Sequence, residues 1–438
     1  MRMKFNKSSQ LLLVSAASLL AATLITACGT LTVDFVFVTS SKAAGTNNYG
    51  EIDVFEINSE SGFMRQIPTS PFPSGGRNPV AEAVSVDQSN LYVVNQDDNT
   101  IVQFVIGNDG KVYPQNTVNT PGIYPLAATV NGTNLFVVDT YQPLPTCSTA
   151  APCSGSIGVL PITVGSGSPP SDTLGSPVAN GSLAYWPLCQ YGYISATDFT
   201  QCAAGPTNDV ITPTAVNAVN VVNSGTYVFV SAYDSTATPN RGYIFAFGVG
   251  SGGALVPVNG GVPHDMGIGG SGLGIHPTAI ANASDSTSTY VYVTDSTNNI
   301  VANYSIASGV LTLIGDTPTG NQPSAIVADP AYPFVYVANS LDSTVTAYSM
   351  SSGVLSSLGT YATGLEPVAI GIDPSTNHFL FTANFLGSSI NGTVSGFELS
   401  PTAGTLVNSE SSPYKANAQP TAVAAITHGS TQSTSSSK

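Results

Sequence analysis

Four charged or titratable side chains stand where chemistry could be done. His276 precedes Pro277, Glu366 precedes Pro367, and each dipeptide opens a short apolar run. Arg77, just ahead of Asn78-Pro79, and Arg241 add two cations. An imidazole or a carboxyl group can pass a proton, and a guanidinium can hold an anionic or hydroxyl-rich ligand through paired hydrogen bonds. His276 and Glu366 are thus the candidate acid–base groups, with Arg77 and Arg241 as candidate substrate-holding cations. The other histidines, His264, His378 and His428, are scattered. No G-x-S-x-G elbow, P-loop, H-E-x-x-H or EF-hand pattern is present, and no cysteine pair has C-x-x-C spacing. No metal and no cofactor are expected.

The dipeptides that carry His276 and Glu366 belong to a series. The residues before the recurring prolines are Asn78, Tyr124, Thr212, His276, Gln322, Glu366 and Gln419, all with a polar atom. Each proline opens a unit of similar make. One unit runs Gln322-Pro323-Ser324-Ala325-Ile326, then Phe334-Val335-Tyr336-Val337-Ala338-Asn339, then Ser343 to Met350, then Gly353-Val354-Leu355. The unit before it has His276-Pro277-Thr278-Ala279-Ile280, Tyr290 to Asp295, Asn299 to Tyr304 and Gly309-Val310-Leu311. The unit after it has Glu366-Pro367-Val368-Ala369-Ile370 and Phe379 to Asn384. Runs of β-branched and aromatic residues bounded by Gly, Pro, Asn or Asp are strands. Four strands, A to D, in about 40–50 residues make a propeller blade.

The two ends of the repeat complement each other. Asp34 to Ser40 reads as a B strand and Glu51 to Ile57 as a C strand, with no A strand ahead of them; the missing A strand is Gln419 to Ile426. One blade shared between the ends closes the ring and removes the free sheet edges. Six further blades give an all-β, seven-bladed β-propeller over residues 34–428. A β-sandwich array is the competing architecture, but it does not need a half-unit at one end that completes the other.

Tyr292-Val293-Thr294-Asp295 and Tyr336-Val337-Ala338-Asn339 resemble the YVTN-type propeller repeat. The whole unit, with its Pro-x-Ala-Ile, Asp-Pro and Gly-x-Leu signatures, resembles the bacterial lactonase-like propellers, which include phosphogluconolactonases and carboxymuconate-cyclising enzymes. The resemblance implies the fold along nearly all of the chain. It transfers no catalytic residue, because the repeated residues are those that build blades.

Blade topology sends the D-to-A and B-to-C connections to one face, where the seven pre-proline residues should ring the mouth of the central channel. The Asp329-Pro330 and Asp373-Pro374 turns belong to the other face. Exposure alone would also make the pre-proline positions polar; as a ligand-binding ring, they would put His276 and Glu366 two blades apart. The longest interval between repeat prolines, Pro125 to Pro213, holds two insertions, at about 141–155 and 180–210. The first contains Cys147 and Cys153. The second contains Cys189, Cys202, Tyr185, Trp186, Tyr191, Tyr193 and Phe199. Four cysteines in an exported chain suggest two disulfides, with the local pairings Cys147–Cys153 and Cys189–Cys202 expected and a cross-link between the insertions as the alternative. Trp186 is expected to give a ligand an aromatic wall at the mouth. Lys42, Arg77, Arg241 and Lys415 gather on this face too, which suits an anionic or carbohydrate-like ligand.

The first 28 residues read as a targeting segment. Arg2, Lys4 and Lys7 are followed by an apolar run from Leu11 to Ile25 and then Thr26-Ala27-Cys28. This pattern resembles a bacterial lipobox, with residues 1–27 as signal peptide, Cys28 as the lipidated residue, 28–33 as a short tether and 429–438 as a polar disordered tail. The expected location is the cell envelope, at the outer membrane or cell surface, with the membrane as a partner through Cys28. The chain carries 10 basic and 25 acidic residues, a formal charge of −15, so nucleic acid is excluded as a partner. Two functions follow: an envelope lipoprotein that binds an envelope protein, a glycan or a small molecule at the channel mouth, or a lactonase-like hydrolase or cycloisomerase acting on a small lactone or sugar acid.

Overall fold

The computed structural model describes residues 32–42, 49–58, 61–147, 153–166, 172–206, 209–221, 225–267, 272–374, 379–387 and 391–427. Cys28, His378, His428 and the polar tail lie outside them.

Seven antiparallel sheets follow one another along the chain. Blades 5 and 6 are the regular ones: Pro277–Ser284, Thr289–Asp295, Ile300–Ala307 and Val310–Pro318, then Pro323–Ala328, Phe334–Asn339, Thr344–Ser351 and Val354–Ala362. Blade 2 has the same form, from Pro79–Val84 to Val112–Asn119. The A strands of blades 3, 4 and 7 are Ile123–Asn131, Ile211–Val221 and Pro367–Ile372. Blade 1 is the shared one. Its A strand, Gln419–Thr427, runs antiparallel to its B strand, Thr32–Ser41, with Phe35 opposite Ile426 and Val38 opposite Val423. The ends are also tied by side chains, since Asn417 donates from its backbone N–H and its amide to the two oxygens of Asp53 at 3.0 and 2.6 Å.

Burial follows from this arrangement. B strands have both faces covered by neighbouring blades, so Phe334–Asn339 and Phe379–Asn384 are buried throughout, the pattern of strands with no solvent face. D strands lie at the rim and are mostly exposed, as in Val354–Ala362. The apolar core divides into seven clusters, one for each seam between adjacent blades. A fully buried large apolar side chain contributes roughly 1.5–3 kcal/mol, against about 1 kcal/mol for a typical hydrogen bond. The seams therefore hold the ring, and hydrogen bonds set its register.

The repeat signatures are the register-setting groups. Tyr292 of blade 5 donates its hydroxyl to the Gly353 carbonyl of blade 6 at 3.2 Å, and Tyr336 of blade 6 does the same to Gly404 of blade 7 at 3.1 Å. The Tyr of one unit thus reads the Gly-x-Leu of the next. At the inner strands, the hydroxyl after the repeat proline bonds to the next blade's proline carbonyl: Thr278 to Pro323, Ser324 to Pro367 and Thr421 to Pro79, at 2.6–2.7 Å. A register shift right after the proline turns that hydroxyl toward the neighbouring blade.

Candidate functional site at the channel mouth

All seven pre-proline residues lie at the same end of the innermost strands, beside the B-to-C turns. The carbonyls of Asn78, His276, Gln322 and Glu366 accept N–H groups from Gln96, Ser296, Ser340 and Phe385 in those turns at 2.9–3.0 Å. Tyr124 and Gln322 are exposed, and Asn78, Thr212, His276, Glu366 and Gln419 are half-buried, so the whole ring reaches solvent.

The backbone here departs from simple expectation. A residue before proline favours extended φ and ψ, yet Asn78, Tyr124, Gln322 and Glu366 have φ of 50–57°. The neighbouring blade holds them there. Asn99 accepts the Tyr124 N–H at 2.7 Å and Asn299 accepts the Gln322 N–H at 2.8 Å, each from the B-to-C turn of the preceding blade. Left-handed backbone costs a non-glycine residue roughly 1–2 kcal/mol, and such strain clusters where a surrounding structure over-determines it.

His276 is held by two contacts of its own. Its N–H donates to Asp295 at 3.0 Å, and its imidazole meets the Tyr233 ring edge-on with centroids 4.5 Å apart. Burial pushes its pKa below the usual histidine range, against a smaller opposing effect of the Asp295 charge. Glu366 sits beyond Gln322 around the ring. Under the mouth, Asp139 of blade 3 accepts the Gly122 N–H at 3.0 Å, and burial raises its pKa to about 7. A Cβ on Gly122 would lie 2.4 Å from that of Asp139, so the position tolerates only glycine.

Of the four cations expected on this face, Lys42, Arg77 and Arg241 are engaged by carboxylates, and Lys415 has no ion pair among the described residues. Arg77 donates from Nε and from its backbone N–H to the two oxygens of Asp98, both at 2.7 Å. Arg241 pairs with Asp265, Arg65 with Glu56, and Lys42 with Glu51. Every described arginine is thus already neutralised by a carboxylate, which weakens the expectation of an anionic ligand. Among the described residues, no group of three or more His, Cys, Asp or Glu is placed to hold a metal ion.

The second insertion is built differently from its expected form. Its first part is an excursion within the D strand of blade 3. Thr173–Leu174 leaves the C strand Ser156–Thr163, and Trp186–Pro187 returns to pair with the start of the same strand. Residues 188–206 follow, and Gly192 and Tyr193 pack against the split outer strand of blade 4, where Tyr193 donates its backbone N–H to the Gly260 carbonyl at 3.2 Å. Both disulfides are local, Cys147–Cys153 and Cys189–Cys202. Trp186 is 2% exposed and packs with Phe136, Ile157 and Phe245 in the seam between blades 3 and 4. The expected aromatic wall at Trp186 is therefore corrected: its indole belongs to the core. The aromatic side chain that does reach the surface is Tyr191, which donates to Asp209 at 2.7 Å.

Tyr191 lines a cleft of about 800 Å³ between the insertion and blade 4, together with Gln190, Asp209, Asp234, Arg241, Tyr243 and Asp265. Gln190 donates to the Tyr243 hydroxyl at 2.7 Å. Burial, helped by the Asp265 charge, pushes the Tyr243 pKa up to about 12. Of these residues the sequence pointed only to Arg241 and Tyr191. Asp234 directly follows Tyr233, so one strand end serves both His276 and the cleft.

Fold and face together define a seven-bladed β-propeller with a polar, solvent-reaching ring at one channel mouth. Residues 274–372 match the family described as lactonase, 7-bladed β-propeller. The resemblance seen in the repeat is therefore real, and the matched segment runs from just before His276 to just after Glu366. No curated protein matches the chain. Among solved structures, a protein from Bacteroides fragilis described as a putative 6-phosphogluconolactonase superposes with a TM-score of 0.62 at 18% identity, over 91% of this chain and 99% of its own. A periplasmic gluconolactonase of Pseudomonas aeruginosa gives 0.59 at 17% identity, over 90% and 99%. A Lactobacillus plantarum protein gives 0.62 at 16%, over 89% and 98%. At these identities the likeness is one of fold.

Proposed function

We propose that this protein is a lactonase-like hydrolase that opens an uncharged sugar lactone at the channel mouth. The observation that carries the reading is the lactonase family match over 274–372, a segment that contains His276 and Glu366 of the ring. In this reaction a water oxygen attacks the lactone carbonyl carbon, the bond from that carbon to the ring oxygen breaks, and the ring oxygen takes a proton to give the hydroxy acid. His276 is the proton acceptor for the attacking water. Its lowered pKa keeps the imidazole neutral near pH 7, the form able to act as a base. Glu366 offers a carboxylate to a substrate hydroxyl. The pairing of Arg77 with Asp98 and Arg241 with Asp265 favours an uncharged substrate over a phosphorylated one, since a phosphate would have to displace a carboxylate.

The test is lactone hydrolysis above the buffer rate, followed by proton release. The reading expects glucono-δ-lactone to be turned over with at least tenfold higher kcat/KM than its 6-phosphate. Preference for the phosphorylated lactone would overturn the substrate assignment, and no turnover of either would overturn the lactonase reading.

We also propose that Cys28 carries a lipid that tethers the propeller to the cell envelope, on the strength of the Thr26-Ala27-Cys28 pattern. Cys28→Ala should abolish partition into detergent; unchanged partition would place the anchor elsewhere.

A further inference from the structure

We propose that the cleft between the disulfide-closed insertion and blade 4 binds an uncharged oligosaccharide. This site is independent of the lactonase reading, and its residues lie outside the segment matched by the lactonase family.

Size comes first. About 800 Å³ lies within the range of roughly 300–1,000 Å³ that encloses most of a small organic ligand. Rigidity comes second. The Cys189–Cys202 bond brackets Tyr191, whose ring packs over Gly205, so this wall is ordered before a ligand arrives. Preorganisation of this kind removes part of the entropic cost of binding.

The chemistry of the lining selects the ligand. Arg241 and Asp265 form an ion pair in which both side chains remain 42% exposed. A fork of N–H donors thus lies beside carboxylate acceptors, open to the cleft. Adjacent hydroxyls of a sugar, each both donor and acceptor, match such a pair without breaking it. The exposed part of the Tyr191 ring and the apolar Val262 can cover the C–H face of a pyranose. An anion is disfavoured, because Asp209, Asp234 and Asp265 outnumber the single cation of the lining. The Asp209 and Asp234 carboxylates are already bonded, to the Tyr191 hydroxyl and to the Thr236–Ala237 turn respectively. A polyhydroxylated, uncharged chain is the ligand class these groups satisfy together.

The test uses the full mature protein and isothermal titration with cellopentaose, maltopentaose and xylopentaose as neutral probes. A deacetylated glucosamine pentamer is the cationic probe and pentagalacturonate the anionic one. The expected result is saturable binding of at least one neutral pentasaccharide, changing less than twofold between 50 and 500 mM salt. Tyr191→Ala and Ala237→Trp, the second filling the cleft from blade 4, should each weaken it at least tenfold. Tyr191→Phe, which keeps the ring over Gly205, guards against misfolding and should retain most of the affinity. Lactone turnover by Ala237→Trp should match wild type, which separates this site from the ring around His276. No binding of any neutral probe, binding that survives Ala237→Trp, or tighter binding of either charged probe would overturn the proposal.

Discussion

Blades 5 and 6 and blades 3 and 4 are made by the same repeat and do different work. In blades 5 and 6 every strand runs its full length, the turns are short, and each signature residue has a partner in the next unit: Tyr292 with Gly353, Thr278 with Pro323, Asn299 with Gln322. In blades 3 and 4 the outer strand is broken. Thr173–Leu174 and Trp186–Pro187 take its place in blade 3, and Leu255–Pro257 and His264–Asp265 in blade 4. The chain released by those breaks forms the cleft. The rim strand is also split in blade 1, which closes the ring, and in blade 7, into Met64–Gln66 and Phe72–Pro73 and into Leu406–Asn408 and Tyr414–Lys415; the interruptions in blades 3 and 4 are the ones that build the cleft. The interruptions are affordable because the rim strand is the least buried of the four, so breaking it leaves the seams whole.

Opening the ring should have the largest effect. Removing residues 419–438 deletes the inner strand of blade 1 and exposes the clusters it shares with blades 2 and 7. Regular and decorated blades should then fail together in one step, with loss of cooperative melting by circular dichroism. Removing only residues 430–438 should leave the melting temperature within about 1 °C. If the shorter truncation were as damaging as the longer, closure by Gln419–Thr427 would not be what holds the ring.

A smaller effect tests whether the insertion is mere decoration. Trp186→Ala should cost about 3–5 kcal/mol, as expected for a large core aromatic, in denaturant unfolding. A cost below about 1 kcal/mol would mean that the insertion sits on its blade without joining the seam.

The smallest effect brings blade 3 into line with blades 2, 6 and 7. The B-strand residue opposite the repeat proline is Asn95, Asn339 and Asn384 in those blades, but Asp139 in blade 3 and Asp295 in blade 5. Its folded pKa, raised to about 7, lies above the value in an unfolded chain. Its contribution is therefore fully present below about pH 4 and is lost as pH rises through 7. Asp139→Asn should melt close to wild type at pH 5 and above it at pH 8. The opposite order would mean that the carboxylate is stabilised in the folded protein.

The sequence and the structure agree where the physics is periodic. The prolines, the Tyr-Val-x-Asn runs and the Gly-x-Leu turns recur because each seam repeats the same contacts, and the chain-end half-units declare the closing blade. Both disulfides were legible because each joins neighbours in sequence. Less was legible wherever a residue's environment comes from another segment. The left-handed backbone at Tyr124 and Gln322 depends on Asn99 and Asn299, more than twenty positions earlier. Trp186 looked like a ligand wall because an aromatic insertion on a functional face suggests one, yet two residues of edge pairing with Ile157 and Ser156 turn it into the core. Two-residue strands of that kind have no periodicity to read. The cleft draws on residues 190–265, and only Arg241 and the aromatic content of the insertion hinted at it.

If His276 does the chemistry at the channel mouth, as proposed, its imidazole governs the pH dependence of kcat/KM for glucono-δ-lactone. Wild type should lose activity on the acid side with an apparent pKa below 6.5, the direction in which burial moves the His276 imidazole. His276→Ala should abolish turnover while melting as wild type does. Glu366→Gln should keep the acid limb and raise KM. Turnover in His276→Ala with an unchanged acid limb would contradict the claim.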